Sequence, residues 1–302
     1  MPAIVCLLLA LKWGGTEYPW ASPRIITLFV LSGALIAGFL AVQYRMRDRA
    51  TVPPRIMGHR VVWASAAFIF CAGAAFLSAV YFLPLWFQAV QGASAVDSGL
   101  RNLPLLISFV AVSAFSGALE TAFGQHDAPA MLLSTVLTSV GYGLISATFR
   151  PDTERAMWIG LQALAGAGHG FGIQQPMMAV QAALDLADVP IGTSAVLFIN
   201  LVGGAVFVSI SQNVFVNKFV EYIAMYAPEL DPALVLALGA TRFRDVVPPE
   251  LHGAVTLAYN DALTKVFLVC AAMSAATVFG AVFVPWKSVK AQGKKGATVV
   301  AV

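Results

Sequence analysis

Side chains able to do chemistry are sparse in this sequence, and the informative ones are uncharged amides set among glycines. Between Trp158 and Gln181, WIGLQALAGAGHGFGIQQPMMAVQ, an apolar stretch long enough to cross a bilayer holds five glycines and four glutamines. Gln174 and Gln175 directly precede Pro176, so two amides and a backbone break fall together at membrane depth. Unpaired amides in hydrocarbon cost several kcal/mol, so these must face protein or a watery cavity. At helical period Gly168, Gly172, Gln175 and Ala179 share one stripe, and Gln174, Met178 and Gln181 form an adjacent one. Two roles stay open for the amides: projection into a substrate cavity, or hydrogen bonds between helices. Gly160, Gly166, Gly168, Gly170 and Gly172 permit the close approach by which helices associate where lipid offers no hydrophobic driving force.

A second polar stripe lies in the next apolar run, where Asn200, Gly204, Phe207 and Ser211 align with Gly203 alongside. One amide, one aromatic ring and small residues suit either the wall of a cavity for an amphipathic solute or plain helix packing. Glu120, in GALETAF, is the acidic residue read inside a span; intramembrane carboxylates serve proton or ion relays, although one this near a helix end also reaches interfacial water. The run GAGHGFG lacks the preceding strand that a dinucleotide loop needs, and His169 within it reads as a packed or hydrogen-bonded residue. His59, His126, His169 and His252 are scattered and Cys6, Cys71 and Cys270 sit singly in apolar runs, which argues against a metal site, a disulfide or an intramembrane enzyme. No cofactor is implied. Tyr81, Phe82, Trp86, Phe87 and Gln88 crowd one helix end, as an aromatic belt at the membrane interface or as part of a gate. Asp97 and Arg101 are spaced to pair across one helical turn.

The elements that position these residues follow from hydropathy. Of 302 residues 59% are hydrophobic and 11% charged, with a mean hydropathy of +0.80, where soluble domains carry about 25% charged residues. The chain is therefore read as an all-α, multi-pass membrane protein in contact with lipid. A net charge of +3, with no basic run interleaved with aromatics, gives no footprint for nucleic acid. Complete spans are expected at 25–42, 61–86, 103–123, 129–148, 158–181, 191–214 and 263–283. Met1 to Leu11 reads as the second half of a further span whose beginning is missing. Residues 217–261, with four prolines, are expected as a long external segment in which Asp231 caps a short helix ending before Gly239. Arg45, Arg47, Arg49, Arg55 and Arg60 on one side of six spans, and Lys287, Lys290, Lys294 and Lys295 on the other, place both clusters on one face, cytoplasmic by the positive-inside rule.

Ordered motifs then carry a resemblance: LALKWGGTEYPW at 9–20, ATVPPRI at 50–56, YFLPLWFQAVQGASAVDSGLRNLP at 81–104, WIGLQALAGAGHGFGIQQP at 158–176, DVPIGTS at 188–194, GGAVFVSISQNVF at 203–215, AYNDAL at 258–263 and VPWKSVK at 284–290. The chain resembles the major facilitator superfamily, and within it the fourteen-span drug:proton antiporter branch of fungal efflux pumps. The resemblance implies that residues 1–60 hold the truncated and complete linker helices with their basic loop. It makes 61–286 a C-terminal six-helix half containing the external loop 217–261, and 287–302 a basic cytoplasmic tail. It implies a missing N-terminal half, a proton gradient as driving force, a small amphipathic substrate and residence in the plasma membrane. Gln174, Gln175 and Asn200 would contact the cavity, with Phe207 as an apolar wall, Gly166, Gly168, Gly170, Gly172, Gly203 and Gly204 in helix packing, and Glu120 in coupling. Departures from the family pattern fall at Glu120, His169 and Asn200. The alternative is a non-transporting membrane protein or fragment that only packs with other bundles.

Overall fold

The structure is a computed structural model that describes residues 2–15, 17–46, 50–123 and 127–285, with the side chains of 120–123 and 127 outside the description. The described residues form helices α1 (Pro2–Trp13), α2 (Pro23–Met46), α3 (Pro54–Met57), α4 (Arg60–Ala89), α5 (Ala95–Arg101), α6 (Leu103–Phe123), α7 (Asp127–Thr148), α8 (Arg155–Gly172), α9 (Gln175–Ala183), α10 (Val189–Tyr226), α11 (Pro232–Val246) and α12 (His252–Phe283). Six helical segments are long and apolar enough to cross a membrane. Long helices follow from long apolar runs because, in hydrocarbon, only intrasegment hydrogen bonds satisfy the backbone.

The long helices alternate in direction along the chain. One end of the bundle carries the Arg55–Arg60 loop, the start of α10 and the end of α12, and is called here the basic end. The opposite end is topped by α11. Helix α12 packs on α4, α7 and α10; α8 lies between α6 and α7; α1 and α2 pack on each other, with α1 against α10. Ser32 Oγ donates to Ala3 O at 2.8 Å across the α1–α2 contact.

The backbone break expected at the amide and proline triplet forms, and two other expectations are corrected. The stretch 158–181 is two helices, α8 and α9, interrupted at Ile173 and Gln174. Pro176 has no N–H to offer the Gly172 carbonyl, so the ladder breaks where the sequence placed amides.

Residues 217–261 are largely helix, with only Ala227 to Leu251 between α10 and α12. Polarity ruled out a membrane crossing there without ruling out a helix: Phe215, Phe219 and Ile223 continue one buried stripe, and Lys218 pairs with Glu221 at 2.6 Å. At 38 residues, α10 is about 57 Å long and outruns a hydrocarbon core of about 30 Å. Inside the connection Asp231 Oδ1 accepts from Ala233 N at 2.9 Å as an N-cap, and Gly239, at φ +76°, interrupts α11.

The second correction concerns the aromatic end of α4. Phe82, Trp86 and Phe87 are fully buried, and of the group only Tyr81 is largely exposed, at 57%. They are core residues of the α11 end, packed with Phe149, Trp158, Phe215, Phe219, Phe243 and Tyr259. Both a belt and a core place aromatics at a helix end; the extensions of α10 and α12 bury these.

The lysine tail and the arginines at 47 and 49 lie outside the described residues. Of the remaining basic cluster, Arg60 Nε donates to Phe283 O at 2.9 Å, joining the start of α4 to the end of α12.

Candidate functional site

Glycine sets the geometry of the broken helix. Added side chains at Gly166 and Gly170 would run into α6: at Gly170 a Cβ would stand 2.7 Å from Phe109 O and 2.9 Å from Ser113 N. At Gly168 it would meet Thr138 Cγ2 of α7 at 2.7 Å, and at Gly172 the Ser134 side chain. These separations lie well inside the about 3.5–4.0 Å of ordinary contact. The four glycines thus face alternately, Gly166 and Gly170 to α6, Gly168 and Gly172 to α7, and α8 is seated between both. Gly160, by contrast, has nothing within 4 Å.

The amides diverge because they are consecutive. Gln175 is fully buried, its Nε2 donating to Ser116 Oγ at 3.2 Å. Gln174 is exposed, and its Nε2 donates to Ser113 Oγ at 2.8 Å. The two serines sit one turn apart on α6, so the break is tied to α6 by side chains just past where the glycines stop. The expected stripes also separate: Gly168, Gly172, Gln175 and Ala179 are buried, whereas Gln174 and Gln181 are exposed and Met178 is half-buried.

Asn200 and Phe207 belong to a different contact. Gly203 lies against Phe70 O, Gly204 against Leu77, and Gly73 of α4 against Asn200 itself. That close approach of α10 to α4 brings Asn200 Nδ2 to Ile69 O at 2.9 Å. Phe207 meets Phe70 edge-on, with ring centroids 6.1 Å apart. The sequence-selected residues therefore form two pairs, Gln174 and Gln175 packed against α6, and Asn200 and Phe207 of α10 packed against α4. Glu120 lies in α6, and its side chain is outside the described residues.

His169 is packed, as the sequence reading had it, and one polar chain at the α11 end escaped that reading. His169 is buried against Phe76 and Tyr142, at centroid distances of 4.9 and 5.6 Å, and its Nε2 and the Tyr142 hydroxyl have no hydrogen-bond partner among the described residues. At the α11 end Trp86 Nε1 donates to Asn260 Oδ1 at 2.9 Å. Asn260 Nδ2 donates to Asp261 Oδ1 at 3.1 Å, and Tyr226 OH to Asp261 Oδ2 at 2.8 Å. This chain joins α4, α12 and α10; it was hidden because 217–261 was read as a loop. The expected Asp97–Arg101 pair forms at 2.6 Å, and Arg101 Nη1 also donates to Gln91 Oε1 at 2.7 Å. Among the described residues no group of His, Cys, Asp or Glu is placed to hold a metal ion.

Long apolar helices, with one stretch interrupted at paired amides and proline and seated by glycine, make a helical bundle suited to a membrane. No family model matches the chain. It is 50% identical over 295 residues to the MFS-type efflux pump MFS1 of Arthroderma benhamiae, covering 98% of this chain and 54% of that one. It is 47% identical over 290 residues to the efflux pump roqT of Penicillium rubens, 96% of this chain and 53% of that one. Against the aspyridones efflux protein of Neocamarosporium betae the identity is 46% over 302 residues, all of this chain and 53% of that one. Among solved structures a bacterial homolog of the human lysosomal transporter Spinster, inward-facing and occupied, superposes with a TM-score of 0.53 at 16% identity, over 93% of this chain and 65% of that one. Over nearly its whole length the chain is similar to fungal MFS-type efflux pumps. It spans about half the length of the curated relatives it matches.

Proposed function

We propose that this chain is the C-terminal portion of a proton-coupled efflux transporter of the fourteen-span branch, exporting small amphipathic molecules across the plasma membrane. The observation that carries the reading is identity of about half over nearly the whole chain to proteins named efflux pumps, at about half their length. On this reading α1 and α2 are linker spans, α4 to α12 form one transporter half, and the basic end is cytoplasmic. Transport is alternating access: two halves expose a shared cavity to each side in turn, and protonation favours one state. Gln174, exposed beside the break, and Asn200, half-buried on α10, are the amides offered to that cavity, with Phe207 as wall. Gln175 serves packing in the state described, since it is fully buried. Glu120 is the proposed coupling carboxylate, and Glu120→Gln should remove the dependence of export on the proton gradient.

The cavity needs a second half, so the chain alone should not transport. The test is efflux of a panel of fluorescent amphiphiles from yeast lacking its own drug pumps. The chain joined behind the six N-terminal spans and linker of a relative should lower retained dye, and a protonophore should abolish the effect. If that joined protein reaches the membrane and exports nothing in the panel, the non-transporting alternative gains; protonophore-insensitive export would overturn the coupling.

A further inference from the structure

The two parts of the broken helix share α7 but differ in their main neighbours. Helix α8 is seated between α6 and α7, whereas α9 packs chiefly on α4 and α10 and less extensively on α7. At the basic end α3, the single turn that follows the arginine loop, shares a buried cluster with α9. Ile56 of α3 is buried in one cluster with Val180 of α9, Val62 and Ile69 of α4, and Val196 of α10. Gly192, at the start of α10, lets Val180 come within 3.0 Å of where its Cβ would be.

Next to Ile56, Arg55 closes this arrangement with a bidentate ion pair: Nη1 to Asp188 Oδ2 at 2.5 Å and Nη2 to Asp188 Oδ1 at 2.9 Å. Asp188 is the residue before α10 and its side chain is only 11% exposed, against 58% for Arg55. A nearly buried carboxylate is costly to leave unpaired, while the exposure of its partner screens the attraction. ATVPPRI and DVPIGTS, more than a hundred residues apart, are thus two parts of one contact.

We propose that α3 and the Arg55–Asp188 pair form a clasp that keeps α9 docked on α4 and α10, with the break at Ile173 and Gln174 as the hinge that lets α9 leave without α8. The clasp and hinge stand on geometry; their use as an inner gate rests on the function proposed above. Opening would bare the cluster around Ile56 and Val180 and move Gln174 away from Ser113.

Thiol accessibility tests this on the 302-residue chain in detergent, without any transport assay. Ala179, buried in α9 against Val61, Phe68 and Met131, is changed to Cys with Cys6→Ala and Cys71→Ala. The native Cys270, buried in α12, is kept as an internal control, and the two labelled peptides are separated by mass spectrometry. Arg55→Ala should raise the labelling rate at 179 by about three- to tenfold, Arg55→Lys by less, and the rate at Cys270 should not change. High salt should raise the rate in the parent and leave Arg55→Ala unaffected. Equal rates at 179 in parent and Arg55→Ala would overturn the clasp. Labelling of Cys270 that rises in parallel would overturn it too, because the pair would then hold the whole bundle rather than α9. Failure of efflux in yeast, with these labelling results intact, would count against the transport reading alone.

Discussion

The two ends of the bundle are built from different materials. At the α11 end aromatic rings run from Trp158 through Phe87 and Trp86 to Phe149, with successive centroids 5.0, 5.1 and 4.5 Å apart. A second group continues from Phe219 through Tyr259 to Phe243 at 4.4 and 5.6 Å. Arg244 of α11 donates to Ala89 O at 3.2 Å, capping α4. At the basic end small and polar contacts accompany the aliphatic cluster around Ile56: Gly280 against Phe68 and Ala64 O, Thr135 bonded to Thr277 at 2.7 Å, Gly172 on Ser134, and the Arg55–Asp188 pair. Large interlocked rings with a buried hydrogen-bond chain hold one arrangement, because moving any ring opens a void that its neighbours cannot fill. Small residues joined by a few polar contacts can part at lower cost. On this contrast the α11 end should resist a change of shape more than the basic end.

Substitutions should reproduce that ranking. Trp86→Ala removes a fully buried ring at the centre of the aromatic end and should cost about 3–5 kcal/mol, read as a large fall in the unfolding midpoint of the detergent-solubilised chain. A loss under about 1 kcal/mol would break the comparison. Gly170→Leu drives a side chain into Phe109 O and Ser113 and should cost about 1–3 kcal/mol by parting α6 from α8. Gly160→Leu, which meets open space, is the paired control and should be near neutral. Asn260→Leu strands the Trp86 indole N–H and should cost about 1–3 kcal/mol by the same melting measurement. Gln174→Ala comes last: an exposed amide bonded to Ser113 should cost under about 1 kcal/mol, with any effect on efflux larger than its effect on melting.

Much of the framework was legible because it rests on local patterns. The apolar runs marked the helices, the glycines of α8 marked close contacts, and Asp97, Arg101 and Asp231 found the partners that their spacing announced. What failed was whatever depends on a distant neighbour. The ring of Trp86 looked the same in sequence whether destined for lipid or core, and its burial follows from the extensions of α10 and α12 and their packing. Asp261 passed for a loop residue until α12 began nine residues earlier. Consecutive glutamines announced two faces without saying which was buried, since that is fixed by Ser113 and Ser116 on another helix. Arg55 counted as a topological charge, and nothing local told that Asp188 would meet it.

The central claim is that this chain is one part of a transporter and needs its counterpart. Purified 302-residue chain should therefore be reconstituted in liposomes alone, and again with the separately expressed six N-terminal spans of a close relative. With an imposed proton gradient, the account predicts no movement of fluorescent amphiphile above protein-free liposomes for the chain alone, and gradient-dependent movement once the counterpart is present. Sustained transport by the chain alone, at the rate of the two parts together, would contradict it.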